Sequence, residues 1–296
     1  MEQPLILVTN DDGIDSKGLW AAVEAVLPLG EVLVIAPDRQ WSGGGRSMPP
    51  NVTGRVQAVE RQVNGERVTA YAVDASPALA VIHGVIEFAP RRPSLVVSGI
   101  NSGANLGIEV TVSGTVGAAL EGGAFGIPAL AVSLEMGPAY HLTADNGADY
   151  SAAMAFTRRF ARHLLASALP HDVDAFSINV PSDATADTPW RFTHLSRHRY
   201  FIPLPPDRAN GEGRPGYKLI EDFQAEIDSD VQTVTVDQVV SVTPLSLDLT
   251  SRVSFATLYR GVDAGQAVHL PEFPSLLLDL FTPSSHPGVG ANNPYL

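Results

Sequence analysis

Leu5-Ile6-Leu7-Val8-Thr9-Asn10-Asp11-Asp12-Gly13 begins as a short apolar run and stops on two adjacent carboxylates and a glycine. A run of this length, bounded by turn residues, reads as a strand buried on both faces. Two acids at the end of such a strand repel each other, and a divalent cation is the simplest group to offset that repulsion. The alternative is a plain turn, because Asn, Asp and Gly are the commonest turn residues. The stretch alone leaves both readings open.

Outward from it, residues 17–27 place Leu19, Ala22, Val23, Val26 and Leu27 at helical spacing, with Asp15 or Ser16 as N-cap and Pro28 and Gly30 as the stop. Residues 31–36 form a second buried strand, completing a β-α-β unit with the usual right-handed crossover. The loop after it, Gln40-Trp41-Ser42-Gly43-Gly44-Gly45-Arg46-Ser47, carries three consecutive glycines. It opens at the strand edge where parallel α/β sheets bind ligands, although a mobile surface loop would read the same.

Residues 52–73 alternate around Asn64-Gly65, a hairpin signal. Residues 76–88 read as a helix with Pro77 in its first turn and His83 packed against the core. A third buried strand, residues 94–98, runs into Gly99-Ile100-Asn101-Ser102-Gly103-Ala104-Asn105-Leu106-Gly107. This glycine spacing matches neither the dinucleotide fingerprint nor a P-loop. Asn101 and Asn105 bring neutral oxygens that a hard cation accepts. Ser113-Gly114-Thr115, followed by small residues, reads as the start of a tightly packed helix, serving either as a phosphate seat or as an ordinary N-cap. A strand at 127–133, a helix at 149–168 and a strand at 176–180 follow. The alternation predicts an α/β fold with a Rossmann-like, doubly wound, mostly parallel sheet.

After Pro181 the composition changes. Residues 189–216 are rich in Pro, Arg, Gly and aromatics without a clear period. Residues 231–242 alternate like a strand or hairpin outside the main sheet, in an arm suited to oligomer contacts. His194 and His198 stand four apart, but no H-E-x-x-H accompanies them, so an exposed basic segment is the better reading. The tail from Ser251 contains one apolar patch, residues 274–281, and is otherwise expected to be poorly ordered. The expected organisation is a catalytic core over residues 1–187, a C-terminal arm or hairpin over 188–252 and a tail over 253–296.

Bulk properties narrow the function. A formal charge of −13 over 296 residues argues against a nucleic-acid polymer as partner, because counterion release needs a basic face. Without cysteine, disulfides, thiolate nucleophiles and cysteine zinc sites are excluded. The start lacks a basic, apolar leader and no stretch is long enough to span a bilayer, so the expected location is cytoplasmic, away from membranes. Asp11, Asp12, Ser42 and Asn101 together make an all-oxygen donor set suited to one Mg²⁺ or Mn²⁺ and poor for Zn²⁺ or Cu²⁺. With Ser113, Gly114, Thr115 and Asn105 as phosphate contacts, the chemistry is that of a metal-dependent phosphoryl hydrolase.

The same residues, taken as an ordered set, resemble the SurE (stationary-phase survival) family of nucleoside-monophosphate phosphatases. The matching segments are Thr9-Asn10-Asp11-Asp12-Gly13, Ala36-Pro37-Asp38-Arg39 with Ser42-Gly43, Ser98-Gly99-Ile100-Asn101, Asn105-Leu106-Gly107, Ser113-Gly114-Thr115, Gly126-Ile127-Pro128-Ala129 and Val240-Ser241-Val242-Thr243-Pro244-Leu245. The resemblance implies a Rossmann-like core, one divalent metal held by Asp11, Asp12, Ser42 and Asn101, and phosphate contacts near Ser113 to Thr115. It also implies homodimers or homotetramers joined through the C-terminal arm. The expected substrate is a nucleoside 5′-monophosphate, with 3′-monophosphates as a second class. The expected reaction is attack of a metal-activated water on phosphorus, with Asp11 and Asp12 as catalytic residues. An aspartyl-phosphate is the rival chemistry, although its D-x-D spacing is absent. A regulatory protein that binds metal and nucleotide without turnover is the rival function. The chain departs from the family pattern at Asp74-Ala75-Ser76-Pro77-Ala78-Leu79, at Gly45-Arg46-Ser47 and in its longer tail. The first two bear on substrate preference and activity, the third on assembly.

Overall fold

The computed structural model describes residues 3–136, 147–206, 212–213, 215–220 and 225–263. Met1–Asp248 form one compact unit and Leu249–Leu296 another. In the first, the opening run becomes β1 (Leu5–Thr9), with every residue buried. After α1 (Lys17–Val26), β2 (Glu31–Pro37) returns parallel to β1, with Leu5 opposite Glu31 and Val8 opposite Val34. β3 (Val56–Val63) and β4 (Glu66–Val73) form the hairpin, and both turn residues, Asn64 and Gly65, have positive φ as a two-residue turn of this hand requires. β4 also joins β2 in parallel. Then follow α2 (Pro77–His83), β5 (Leu95–Ser102), α3 (Gly114–Ala124), β6 (Ala129–Leu134), α4 (Ser151–Ala166) and β7 (Ala175–Val180).

β8 (Trp190–Phe192) and, after the small antiparallel pair β9 (Phe201–Leu204) and β10 (Gly216–Leu219), β11 (Val240–Leu245) complete a nine-stranded sheet. Its order is β3-β4-β2-β1-β5-β6-β7-β11-β8. The chain leaves β1 toward β2 on one side and later returns to pair β5 on the other. The carboxyl end of β1 is therefore a topological switch point, where an open α/β sheet offers a crevice. The apolar side chains of the sheet divide between two cores, one containing residues of α1 and α4, the other residues of α2 and α3. Among the described residues no helix is long and apolar enough to cross a membrane.

The structure corrects three expectations. His83 is half-buried, not a core residue, and its Nδ1 lies 2.9 Å from Glu87 one turn on. β5 does not stop at Ser98 but continues through Asn101 and Ser102, with its register to β6 shifting between Ser98 and Asn101. Gly99 makes this course passable, because at its φ of +133° a Cβ would lie 2.3 Å from Val132 O. Residues 231–239 are not a strand outside the sheet. Gln232–Val236 form a wide helical turn, and the strand proper, β11, lies inside the main sheet, antiparallel to β7. Local bonds override β-branched propensity there. Ser229 Oγ accepts from Gln232 N–H, Asp230 Oδ1 accepts from Val231 N–H, and the Thr233 and Thr235 hydroxyls donate to the Ser229 and Val231 carbonyls. Pro244 is tolerated because β8 pairs only with residues 240–242 of β11. In the tail, Phe255–Asp263 form the helix α5, and the apolar patch at 274–281 lies outside the described residues.

The chain entering α2 departs from the family pattern, and its role is structural. Asp74, at the end of β4, accepts from Thr53 Oγ1 (2.6 Å), Thr53 N–H (2.9 Å) and Arg39 Nη1 (2.7 Å). The Thr53 bonds first, then Arg39, hold its carboxyl at about 2, below the ordinary 3.8. A depressed folded-state pKa adds stability above the unfolded value and loses it as pH falls through the folded one. Urea midpoints of wild type and Asp74→Asn should therefore differ at about pH 6 and converge as pH drops from about 4 toward about 2. A difference that persists unchanged into acid would contradict this role.

Candidate active site

The end of β1 is shaped by its own turn. Asn10 is buried and grips Gly13 twice, accepting its N–H at 3.2 Å and donating to its carbonyl at 3.0 Å. Gly13 has φ +94° and faces the Arg39 backbone, where a Cβ would lie 3.2 Å from the Arg39 carbonyl carbon. The loop after β2 is stitched to this turn by Ile14 N–H to Pro37 O (2.9 Å) and Trp41 N–H to Asp11 O (2.7 Å). That pairing brings Ser42 beside the two carboxylates.

Asp11 is buried against the start of α3. A Cβ on Gly114 would lie 2.6 Å from Asp11 Cβ, so only glycine permits the approach. The Thr115 hydroxyl donates to Asp11 Oδ1 at 2.5 Å, and the backbone N–H groups of Asp11, Thr115 and Gly114 also favour the carboxylate. Burial nevertheless outweighs them and pushes the Asp11 pKa up. Asp12 Oδ2 accepts from Ser102 N–H (3.1 Å) and Oδ1 from Gln40 Nε2 (3.3 Å). Burial first, then the adjacent Asp11 charge, raise it to about 7. No described cation forms an ion pair with either acid.

A cavity of about 430 Å³ opens over this pair, a size that accommodates a small organic ligand. Asp11, Asp12, Ser42, Asn101, Asn105 and Ser113 all line it. Gly114 and Thr115 do not line it, since their polar groups turn to Asp11. Ser113 Oγ caps α3 by accepting from Val116 N–H at 3.1 Å. Asn101 donates through Nδ2 to Gly103 O (2.7 Å), which leaves Oδ1 as its remaining polar side-chain atom. Asn105 is fixed by Asn179, which accepts its N–H (2.8 Å) and donates to its carbonyl (3.1 Å), and by Ser133 Oγ, which accepts from its Nδ2 (2.9 Å).

Sequence reasoning missed several of these groups. Gln40 and Ser102 hold Asp12, and Ser133 and Asn179 hold Asn105. The buried polar residues inside the apolar strands at 129–134 and 175–180 were the available signal for the latter pair. The far wall of the cavity, containing Glu109, Arg199, Phe201 and Tyr217, comes partly from the β9–β10 hairpin, for which periodicity gave no warning. Among the described residues no group of three or more His, Asp or Glu is placed to hold a metal. A cation here would rely on two carboxylates and neutral oxygens.

Comparison with known proteins places the chain in a family. The model of the family described as "Survival protein SurE" matches residues 6–201. The chain is 44% identical to the 5′-nucleotidase SurE of Thermococcus gammatolerans over 257 residues, covering 86% of this chain and 94% of that protein. It is 41% identical to the 5′-nucleotidase SurE of Thermococcus kodakarensis, covering 84% and 95%. The crystal structure of the SurE protein from Aquifex aeolicus superposes with a TM-score of 0.65 at 30% identity, covering 88% of this chain and 98% of that one. The chain belongs to the SurE family.

Two substitutions test the site's electrostatics. A raised folded-state pKa makes a carboxylate cost stability as pH climbs from its unfolded value, 3.8, toward the folded one, about 7 for Asp12. In chelator at about pH 8, Asp12→Asn should therefore melt above wild type, and the gap should close as pH falls toward about 4. An Asp12→Asn protein that melts lower at every pH would contradict it. Gly114→Ala forces the new methyl into Asp11 and should cost about 1–3 kcal/mol of stability, read from urea unfolding.

Proposed function

We propose that this member of the SurE family is a 5′-nucleotidase, a divalent-metal-dependent phosphomonoesterase that cleaves nucleoside 5′-monophosphates to nucleoside and phosphate, with 3′-monophosphates as further substrates. The carrying observation is the pair of adjacent carboxylates at the switch point, Asp11 buried and Asp12 half-buried. Both are pushed toward neutrality by burial and lie open to a cavity lined by Ser42 and Asn101. The donor set fits a hard cation, because all its atoms are oxygens and two of them belong to groups whose charge nothing described neutralises. Mg²⁺ or Mn²⁺ is the ion proposed, one per chain, with Asp11, Asp12, Ser42 and Asn101 as its ligands. When bound, such an ion polarises phosphoryl oxygens and makes water acidic enough to act as a nucleophile near neutral pH.

The remaining steps belong to the chain. Ser113 and Asn105 receive the substrate phosphate, while Gly114 and Thr115 act one step removed by fixing Asp11. Asp12, steadied by Ser102 and Gln40, takes the proton of the attacking water. Water oxygen bonds to phosphorus, the bond from phosphorus to the sugar oxygen breaks, and the departing oxygen takes a proton from solvent water to leave as the nucleoside, while Asp12 returns the proton it took to solvent. The altered segment at 74–79 does not line the cavity, so it gives no support to a version of the fold without turnover. Residues 1–187 are proposed as the catalytic core and residues 188–252 as the arm joining a homodimer or homotetramer, in a cytoplasmic enzyme.

Phosphate release from a panel of 5′- and 3′-mononucleotides with Mg²⁺ or Mn²⁺ tests the reading. Wild type should turn over with either ion and stop in chelator, and Asp11→Ala should lose on the order of a hundredfold or more in kcat/KM. No metal-dependent turnover on any nucleotide or simple phosphomonoester would overturn it. A phosphorylated aspartate trapped and found by mass spectrometry would replace the direct attack of water with the aspartyl-phosphate route.

A further inference from the structure

A tyrosine reaches the carboxylate pair from the core behind it. Tyr150 stands at the head of α4, where its carbonyl accepts from Met154 N–H at 2.8 Å, and it is 7% exposed. Its ring belongs to the apolar cluster that contains Ile14, Ile100 and Leu134. A Cβ on Gly18 of α1 would lie 3.2 Å from Tyr150 Cε1 and 1.9 Å from Ile100 O, so that glycine lets α1, the end of β5 and the tyrosine ring meet. Packing of this kind asks only for a ring. A buried phenol hydroxyl also needs a hydrogen-bond partner, and this one lies 3.0 Å from Ser102 Oγ.

Ser102 is one of the two residues that grip Asp12. Its N–H donates to Asp12 Oδ2 at 3.1 Å, and its hydroxyl also bonds to Asp12 and favours the ionised carboxylate. Counting protons gives the direction of the chain. An ionised carboxylate only accepts, so the single hydroxyl proton of Ser102 goes to Asp12. Ser102 Oγ is left as the acceptor, and the Tyr150 O–H is the donor. The order therefore runs from Tyr150 through Ser102 to Asp12, and each bond in such a chain polarises and strengthens the next. Ser102 also lies between Asn101 and Gly103, which are joined by the bond from Asn101 Nδ2 to Gly103 O at 2.7 Å. Fixing Ser102 fixes the strand end that carries Asn101.

We propose that Tyr150 is a positioning residue for the cation site: by donating to Ser102 Oγ, its hydroxyl commits the serine proton to Asp12 and holds in place Asp12 and Asn101, two of the four proposed ligands. The proposal rests on the cation reading above and deepens it. Tyr150 does not line the cavity, so it touches neither ion nor substrate and acts through Ser102.

The test is a double-substitution cycle on Mn²⁺ affinity, read from the free-ion paramagnetic resonance signal of wild type, Tyr150→Phe, Ser102→Ala and the two combined. Tyr150→Phe keeps the ring and removes only the hydroxyl, and it should weaken Mn²⁺ binding about tenfold, as loss of a partner behind a metal ligand commonly does. Ser102→Ala should weaken it at least as much. Adding Tyr150→Phe to Ser102→Ala should then change affinity by less than about twofold, because the hydroxyl has no serine left to act on. A Tyr150→Phe protein that binds Mn²⁺ as tightly as wild type would overturn the inference. So would an equal loss from Tyr150→Phe with and without the serine hydroxyl, which marks a role in packing alone. Either result would leave the cation site standing, whereas a wild type that takes up no Mn²⁺ would bring down that reading and this inference together.

Discussion

A methyl group on Gly114 would collide with Asp11 at 2.6 Å, and that proximity of α3 to the end of β1 governs the rest of the site. The glycine lets the helix start deliver the Thr115 hydroxyl and two backbone N–H groups to a carboxylate that has lost its water. One turn on, Gly117 lets the loop at Gly45 and Arg46 pass equally close, since a Cβ there would lie 2.6 Å from that backbone. Arg46 is then tied to the buried Glu121 of α3 at 2.7 Å. The same glycines therefore seat the first carboxylate and the loop that carries Ser42.

Compensation across the carboxylate pair is unequal. Asp11 draws on a hydroxyl and several N–H groups, whereas Asp12 has mainly Ser102 and Gln40 and faces Asp11's charge. Removing one charged group from water costs several kcal/mol unless partners are supplied, and two side by side cost more. The fold tolerates this because the pair lines a cavity and does not lie inside a closed core. The cation site proposed there would offer an incoming ion two carboxylates already held in place by their hydrogen bonds.

Much of this was legible in the sequence because the relevant signals are local. Short buried apolar strands, the Asn64-Gly65 turn, Pro77 at a helix start, the Ser113 cap and the polar strand ends each depend on neighbours a few positions away. The failures are equally physical. β5 runs past its apolar stretch because Gly99 admits a backbone course that no other residue could follow beside Val132. The valine- and threonine-rich segment after Val231 turns helical because Ser229, Asp230 and two threonine hydroxyls satisfy its backbone locally. Val231 and Val234 are buried in a cluster with Tyr200, 31 positions before Val231. The Glu109 wall depends on a bond to Tyr200, 91 positions away, and no spacing rule reaches that far.

Manganese binding measures the central point most directly. Titration of metal-free protein with Mn²⁺, followed by the loss of the free-ion paramagnetic resonance signal, should show one ion taken up per chain. Asp11→Ala should abolish uptake, while Asp74→Asn, whose carboxylate does not line the cavity, should leave it intact. A wild-type chain that leaves the free Mn²⁺ signal unchanged, or an Asp11→Ala chain that binds as well as wild type, would contradict a cation site at the end of the first strand.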